Sequence, residues 1–209
     1  MKLYYAKVLN PRKVCAAAKH LNSPVEYVYV DLAKGGTSAP DFLKMNPNGK
    51  VPVLTDGDLT LWEADAIICH LARKAGSKLW PADDALKIEI LRWSSWNANH
   101  FTRATGALYF EYVVKPMFRI GEADPAKVNP AMEQFHKFGR VLDDHLNGRN
   151  YLVGDDLSVA DFAVAVSLPY ADQMKLPLRD YPNIARWHDG LNALPAWRDP
   201  FPERTMQAA

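Results

Sequence analysis

Residues 46–54 read Asn46-Pro47-Asn48-Gly49-Lys50-Val51-Pro52-Val53-Leu54, and nine residues after Leu54 comes Glu63-Ala64-Asp65-Ala66-Ile67. Together these segments can hold a small ligand that carries both a carboxylate and an ammonium. Proline cannot donate to a sheet ladder, so Pro52 belongs at the start of a strand, here residues 51–55. A cis Val51-Pro52 bond kinks the chain there and turns the Val51 N–H and C=O outward, as a short antiparallel template for a bound peptide. Glu63 follows a hairpin through Asp56-Gly57-Asp58 and opens a helix. Backbone N–H groups beside it, that of Ala64 included, can therefore bind a carboxylate while the Glu63 side chain accepts from an ammonium. A γ-glutamyl group carries both charges.

A second constellation lies far downstream, at Tyr151-Leu152-Val153-Gly154-Asp155-Asp156-Leu157-Ser158-Val159-Ala160-Asp161-Phe162. Ser158 and Asp161 have capping-box spacing, with Asp in place of the usual Glu or Gln, and Leu157 and Phe162 are spaced as a hydrophobic staple. The helix they open, residues 159–171, is almost wholly apolar, the pattern of a helix buried on all sides.

In this order and at this distance the two constellations resemble the cytosolic glutathione S-transferase superfamily, whose thioredoxin-like half carries a similar proline-led strand followed by a glutamate–serine pair before a helix. The resemblance runs over almost the whole chain. It implies an α/β thioredoxin-like N-terminal domain at residues 1–76, a linker at 77–84 and an all-α helical C-terminal domain at 85–209. It also implies glutathione as cosubstrate, no metal, a small apolar electrophile as second substrate, a role in detoxification and a homodimer. Lys50, Val51, Pro52, Glu63 and Ala64 match the positions that hold glutathione. Here Ala64 stands where the family has serine, which removes a hydroxyl and leaves the N–H. Thr37 and Ser38 stand where relatives often carry basic residues.

The thiol would sit where the first strand turns into the first helix, because helix N–H groups and the macrodipole favour a thiolate there. That turn, Ala6-Lys7-Val8-Leu9-Asn10-Pro11, has no CxxC, so an intrinsic dithiol mechanism is excluded. Its sequence looks most like the nu class, in which an Asn at the position of Asn10 faces the glutathione sulfur and a Thr stands where this chain has Val8. Asn10 can donate its amide N–H to the thiolate, or it can be a plain N-cap before Pro11. Tyr5 is the alternative hydroxyl donor, with core packing as the competing reading. Cys15 and Cys69 fall inside helices and read as small core hydrophobes.

For the electrophile, Trp93, Asn97, His100 and Ala104 share one helical stripe, with Trp96 and Arg103 beside it and Tyr109, Phe110 and Met117 continuing the wall. The resemblance places this stripe near the cleft between domains, where aromatic walls bind apolar electrophiles. A helix packing its aromatic face into a bundle core reads the same way. Two other functions stay open. One is a non-catalytic binding or interaction module on the same fold, suggested by Val8, Ala64 and the Thr37-Ser38 pair. The other, a zeta-type isomerase, expects a Ser-Ser-Cys turn that is absent.

The elements that must position these residues follow the periodicity. Residues 2–5, 25–31, 51–55 and 59–61 read as strands, interleaved with helices at 11–21, 40–45 and 63–75. This β-α-β-α-β-β-α order builds a right-handed crossover and an antiparallel hairpin. From Gly76 on, only helical runs follow, at 85–115, 130–146, 158–171 and 184–194, with 121–130 as a connector and Met132, Phe135, Gly139, Leu142 and Leu146 as a core stripe. A chain of 209 residues with 48% hydrophobic content can bury a sizeable core. With 25 basic and 24 acidic residues and no basic run, nucleic acid is not an expected partner. No signal peptide or transmembrane-length apolar stretch is recognisable, so the expected location is the cytoplasm and no membrane partner is expected. With only two cysteines a disulfide framework is not expected.

Overall fold

A computed structural model describes residues 1–203. The chain divides into two compact units, one of residues 1–75 together with the described residues from Pro195 on, the other of residues 76–194.

The first unit contains β1 (Lys2–Tyr5), α1 (Leu9–His20), β2 (Glu26–Tyr29), α2 (Pro40–Met45), β3 (Val53–Asp56), β4 (Leu59–Trp62) and α3 (Ala64–Lys74). The sheet order is β2-β1-β3-β4, with β1 parallel to β2 and β3 antiparallel to both its neighbours. Leu3 pairs with Leu54 in register. Both are fully buried, together with Val14, Ile67 and Ile68. The thioredoxin-like layer expected from the element order is therefore present. Gly57, at φ +60° in the two-residue β3–β4 loop, takes the left-handed conformation that such a tight hairpin needs. β3 begins at Val53, one residue after Pro52, which has no N–H to offer the ladder.

The second unit contains α4 (Asp84–Trp96), α5 (Thr102–Tyr109), α6 (Lys115–Phe118), α7 (Pro125–His145), α8 (Val159–Val164) and α9 (Pro182–Asn192). The sequence predicts one continuous helix over 85–115. The structure interrupts it twice with π-helical turns, Asn97–Phe101 and Phe110–Val114. At the first, the buried Asn97 donates its Nδ2 to the Ala163 carbonyl at 3.0 Å and accepts from Thr102 Oγ1 at 2.7 Å. Each π turn inserts one residue and so rotates everything after it relative to a continuous α-helix. α7 starts at Pro125 rather than at Pro130. Pro125 is at the first helical position and the Asp124 carboxylate accepts from Ala126 N–H at 2.9 Å, which supplies the start. Pro130 is then carried inside the helix.

The buried helix opened by Ser158 is α-helical only to Val164 and continues as a 3₁₀ turn, Ala165–Tyr170, that contains Pro169. Its capping box is closed, and residues 159–164 are all buried.

α10 (Pro195–Arg198) groups with the first unit. The Arg12 guanidinium donates to the Trp197 carbonyl at 2.6 Å and sits 5.3 Å from the centre of its ring, and the Phe201 ring stacks on Tyr5 at 6.2 Å. Among the described residues no helix is long and apolar enough to cross a membrane.

Candidate active site

In the first unit three separate segments converge on one cavity of about 170 Å³, lined by Asn10, Asn46, Asn48, Lys50, Val51, Pro52, Glu63 and Ala64. The start of α1 contributes Asn10. Val8 is the N-cap, at φ −133°, and makes no side-chain cap, so Asn10 lies within the first turn and is not itself the cap. Arg12 N–H already reaches the Val8 carbonyl at 3.1 Å, and Pro11 has no N–H. The helix therefore starts with uncapped donors beside an exposed Asn10 amide.

The second segment is the loop from Asn46 to Pro52. The Val51-Pro52 bond is cis. The Val51 side chain packs against the cluster of Val30, Phe42 and Val53, and Val51 also lines the cavity. Among the described residues neither the Val51 N–H nor its C=O takes a backbone partner.

The third segment is the start of α3. Glu63 is its N-cap residue, exposed and without a side-chain cap, at φ 71° and ψ 115°. Such a conformation costs a non-glycine residue about 1–3 kcal/mol and is typical of functional positions. Asp65, the one acid in the first turn, is paired with the buried Lys13 of α1. That pair ties the two helices together and keeps the Asp65 carboxylate from capping its own helix, so the N–H groups of α3 stay available to a ligand. The Glu63 carboxylate enters no ion pair among the described residues.

The cavity thus offers a carboxylate acceptor, the N–H donors of two helix starts and an open backbone edge, the set that a γ-glutamyl peptide requires. Among the described residues no group of three or more His, Cys, Asp or Glu could hold a metal ion.

Tyr5 is not brought to the cavity. It is 3% exposed, and its ring packs among Tyr27, Tyr29 and Phe201. Thr37 and Ser38, on a short 3₁₀ turn, are not among the lining residues either. Burial pushes the Cys15 thiol up to about 12, and burial with the nearby Asp65 carboxylate does the same for Cys69, so neither supplies a thiolate near neutral pH. Sequence reasoning missed Asn46 and Asn48 as lining residues. The signal was present in the Asn46-Pro47-Asn48-Gly49 run, since Asn side chains in such turns bond to the backbone two residues on.

The second unit contains a separate groove of about 630 Å³, lined by His100, Arg103, Lys127, Phe138 and small apolar residues of α5 and α7. The His100 ring stacks on Phe138 at 4.9 Å, and Trp96 stacks on Phe101 at 5.7 Å. The expected stripe is not one surface. Trp93, Asn97 and Ala104 are buried while His100 and Arg103 are exposed, because the π turn at 97–101 changes the register. Tyr109 is also buried, with its ring against Tyr170 at 4.9 Å, and it does not line the groove.

Residues 1–73 match the family model described as glutathione S-transferase, N-terminal domain, and residues 106–195 the one described as glutathione S-transferase, C-terminal domain. The chain is 32% identical over 202 residues to glutathione S-transferase hmp2 of Hypomyces subiculosus, covering 92% of this chain and 94% of that protein. It is 33% identical over 204 residues to glutathione S-transferase 3 of Zea mays, covering 93% and 90%. The solved structure of glutathione S-transferase-I bound with lactoylglutathione is similar with a TM-score of 0.86 at 30% identity, covering 95% of this chain and 97% of that one. With both domain models matched in order and relatives aligned along nearly their full length, the chain belongs to the glutathione S-transferase family.

Proposed function

We propose that the protein is a glutathione transferase whose first unit binds glutathione and ionises its thiol for attack on an electrophile. The observation that carries this is the single cavity into which Asn10, Lys50, Val51, Pro52, Glu63 and Ala64 converge from three separate segments. In this reading the Ala64 N–H and its neighbours hold the γ-glutamyl carboxylate, Glu63 accepts from the ammonium, and Val51 pairs with the peptide backbone. Lys50 lies beside the far end of the tripeptide. The Asn10 amide and the uncapped start of α1 stabilise the thiolate. The thiol proton leaves to solvent, the sulfur bonds to carbon, and the displaced group departs with the electron pair. Peroxides and mixed disulfides are further acceptors for the same thiolate.

Asn10→Ala should raise the pKa of the bound thiol, and each unit corresponds to about 1.4 kcal/mol. Conjugation of glutathione to a chloronitrobenzene at neutral pH should therefore fall, with recovery as pH rises and the thiolate forms unaided. Tyr5→Phe should leave the pH profile in place. An unchanged profile in Asn10→Ala beside an inactive Tyr5→Phe would give the role to tyrosine. Val8 in the thiol turn and Ala64 at the helix start favour one second reading, a binding module on this fold; wild-type protein that binds glutathione without turning over any acceptor would establish it.

For the electrophile, His100, Arg103 and the flanking Trp96 are the contacts this reading keeps, on the combination of aromatic and cationic walls in the groove. Tyr109 has a part only if its buried ring becomes accessible on binding. A His100→Ala/Arg103→Ala double variant should raise KM for an anionic aromatic acceptor several-fold and leave KM for glutathione unchanged. Conversion of the variant to monomers would instead make the groove a subunit contact.

A cytoplasmic homodimer completes the proposal. Ile88 and Leu91, three residues apart on α4, are 63% and 51% exposed, an apolar pair that a second copy would cover. Sedimentation equilibrium tests it.

A further inference from the structure

We propose that Asn46 is a positioning residue that aims the Val51 N–H at the peptide backbone of glutathione; the inference rests on the glutathione-binding reading above. Asn46 is only 3% exposed, and its side chain bonds within its own loop while its backbone N–H reaches back to α2. Its Nδ2 donates to the Lys50 carbonyl at 2.7 Å. Its Oδ1 accepts from the Asn48 backbone N–H at 3.0 Å and from Asn48 Nδ2 at 2.9 Å. Its own N–H donates to Phe42 O at 2.9 Å, and its carbonyl accepts from Gly49 N–H at 3.0 Å. Phe42 is buried beside Val53, so the hub is anchored to the core of the unit at the end of α2.

The bond to Lys50 is the one with a consequence for binding. The Lys50 carbonyl and the Val51 N–H belong to the same planar peptide, which is trans, because the single cis bond among the described residues is the next one along. In a trans peptide the C=O and N–H point in opposite directions. By holding the carbonyl on its own side, Asn46 directs the N–H to the other. The Val51 side chain, packed on the Val30, Phe42 and Val53 cluster, holds the same peptide from its far end. Without the Asn46 donor the peptide could rotate, and Val51 would present its N–H in the required direction only part of the time. Affinity falls in proportion to that fraction.

The test uses the full chain with Asn46→Asp and Asn46→Ala. Asp keeps the shape and the acceptor for Asn48 but replaces the donor with an oxygen facing the Lys50 carbonyl. Calorimetry with glutathione should show binding weakened about tenfold or more in both variants, the worth of one lost hydrogen bond of the usual strength. In steady-state kinetics the loss should fall on KM for glutathione more than on kcat. In nitrogen-15 spectra the Val51 amide should shift on addition of glutathione to wild type, and that shift should shrink in Asn46→Asp. Wild-type affinity in both variants, or an intact Val51 shift in Asn46→Asp, would overturn the role of Asn46 while leaving glutathione binding in place. A wild-type protein that binds no glutathione would overturn the underlying reading itself.

Discussion

Glu63→Ala should lose most glutathione binding and no stability. The Glu63 carboxylate is exposed, lines the cavity and has no ion pair among the described residues, so its removal leaves nothing unsatisfied inside the protein. A charge-assisted hydrogen bond to the ligand ammonium is worth about 1.5–3 kcal/mol, which predicts binding roughly ten- to 150-fold weaker. The backbone supplies an independent check. At φ 71° and ψ 115° Glu63 occupies a conformation that glycine adopts at little cost, so Glu63→Gly should melt at or above the wild-type temperature while binding as poorly as Glu63→Ala. Titration calorimetry beside thermal melting separates the two effects. If either variant binds glutathione with wild-type affinity, the assignment of the γ-glutamyl end to Glu63 and Ala64 fails. A large fall in melting temperature for Glu63→Gly would mean that this side chain holds the fold rather than a ligand.

The second large effect is expected at Asp161, and it is one of stability. From spacing alone a capping residue is worth about 0.5–2 kcal/mol. The structure assigns Asp161 more than the cap. One carboxylate oxygen accepts from Ser158 N–H and Ser158 Oγ, both at 2.9 Å. The other accepts from Leu152 N–H at 2.9 Å and from Trp187 Nε1 at 3.0 Å. Burial pushes the Asp161 carboxyl up from its ordinary value, while these four donors pull it toward the charged form. Asp161→Ala strips all four donors of their acceptor in a fully buried place, and the cost of leaving such groups unpaired predicts a loss of about 3–5 kcal/mol. For a protein of this size that lowers the melting temperature by roughly 10 °C or more. Ser158→Ala removes one hydroxyl from the same carboxylate and should cost only about 1 kcal/mol. None of these partners lines the candidate cavity of the first unit, so turnover per folded molecule should survive in both variants. Normal melting with lost turnover would show that the pair serves chemistry instead.

Much of the candidate cavity's lining was legible because its signals are local. The segment from Asn46 to Pro52 dictates its own backbone through an Asn turn, a glycine and a proline that cannot join a ladder. The starts of α1 and α3 are marked by residues within a few positions of each other. Local rules of φ, ψ and capping are written in adjacent residues, so Asn10, Lys50, Val51, Pro52, Glu63 and Ala64 could be named before any coordinates, and all six line one cavity. The order of strands and helices in each half follows from the same periodicities.

Only the tertiary structure decided the rest, because those outcomes depend on partners far apart in the chain. Tyr5 is buried with its ring stacked on Phe201, and Arg12 draws α10 to the first unit across 185 positions. The long helix breaks at residue 97 because the Asn97 amide finds a carbonyl 66 positions away, and that break separates His100 from Trp93. Asp161 is more than a cap because Trp187, 26 positions on, also donates to it. A hydrophobic period states that a face is buried, but not against what; the identity of the covering group, and hence which polar side chains are spent inside and which remain for a ligand, is settled only when the chain closes on itself.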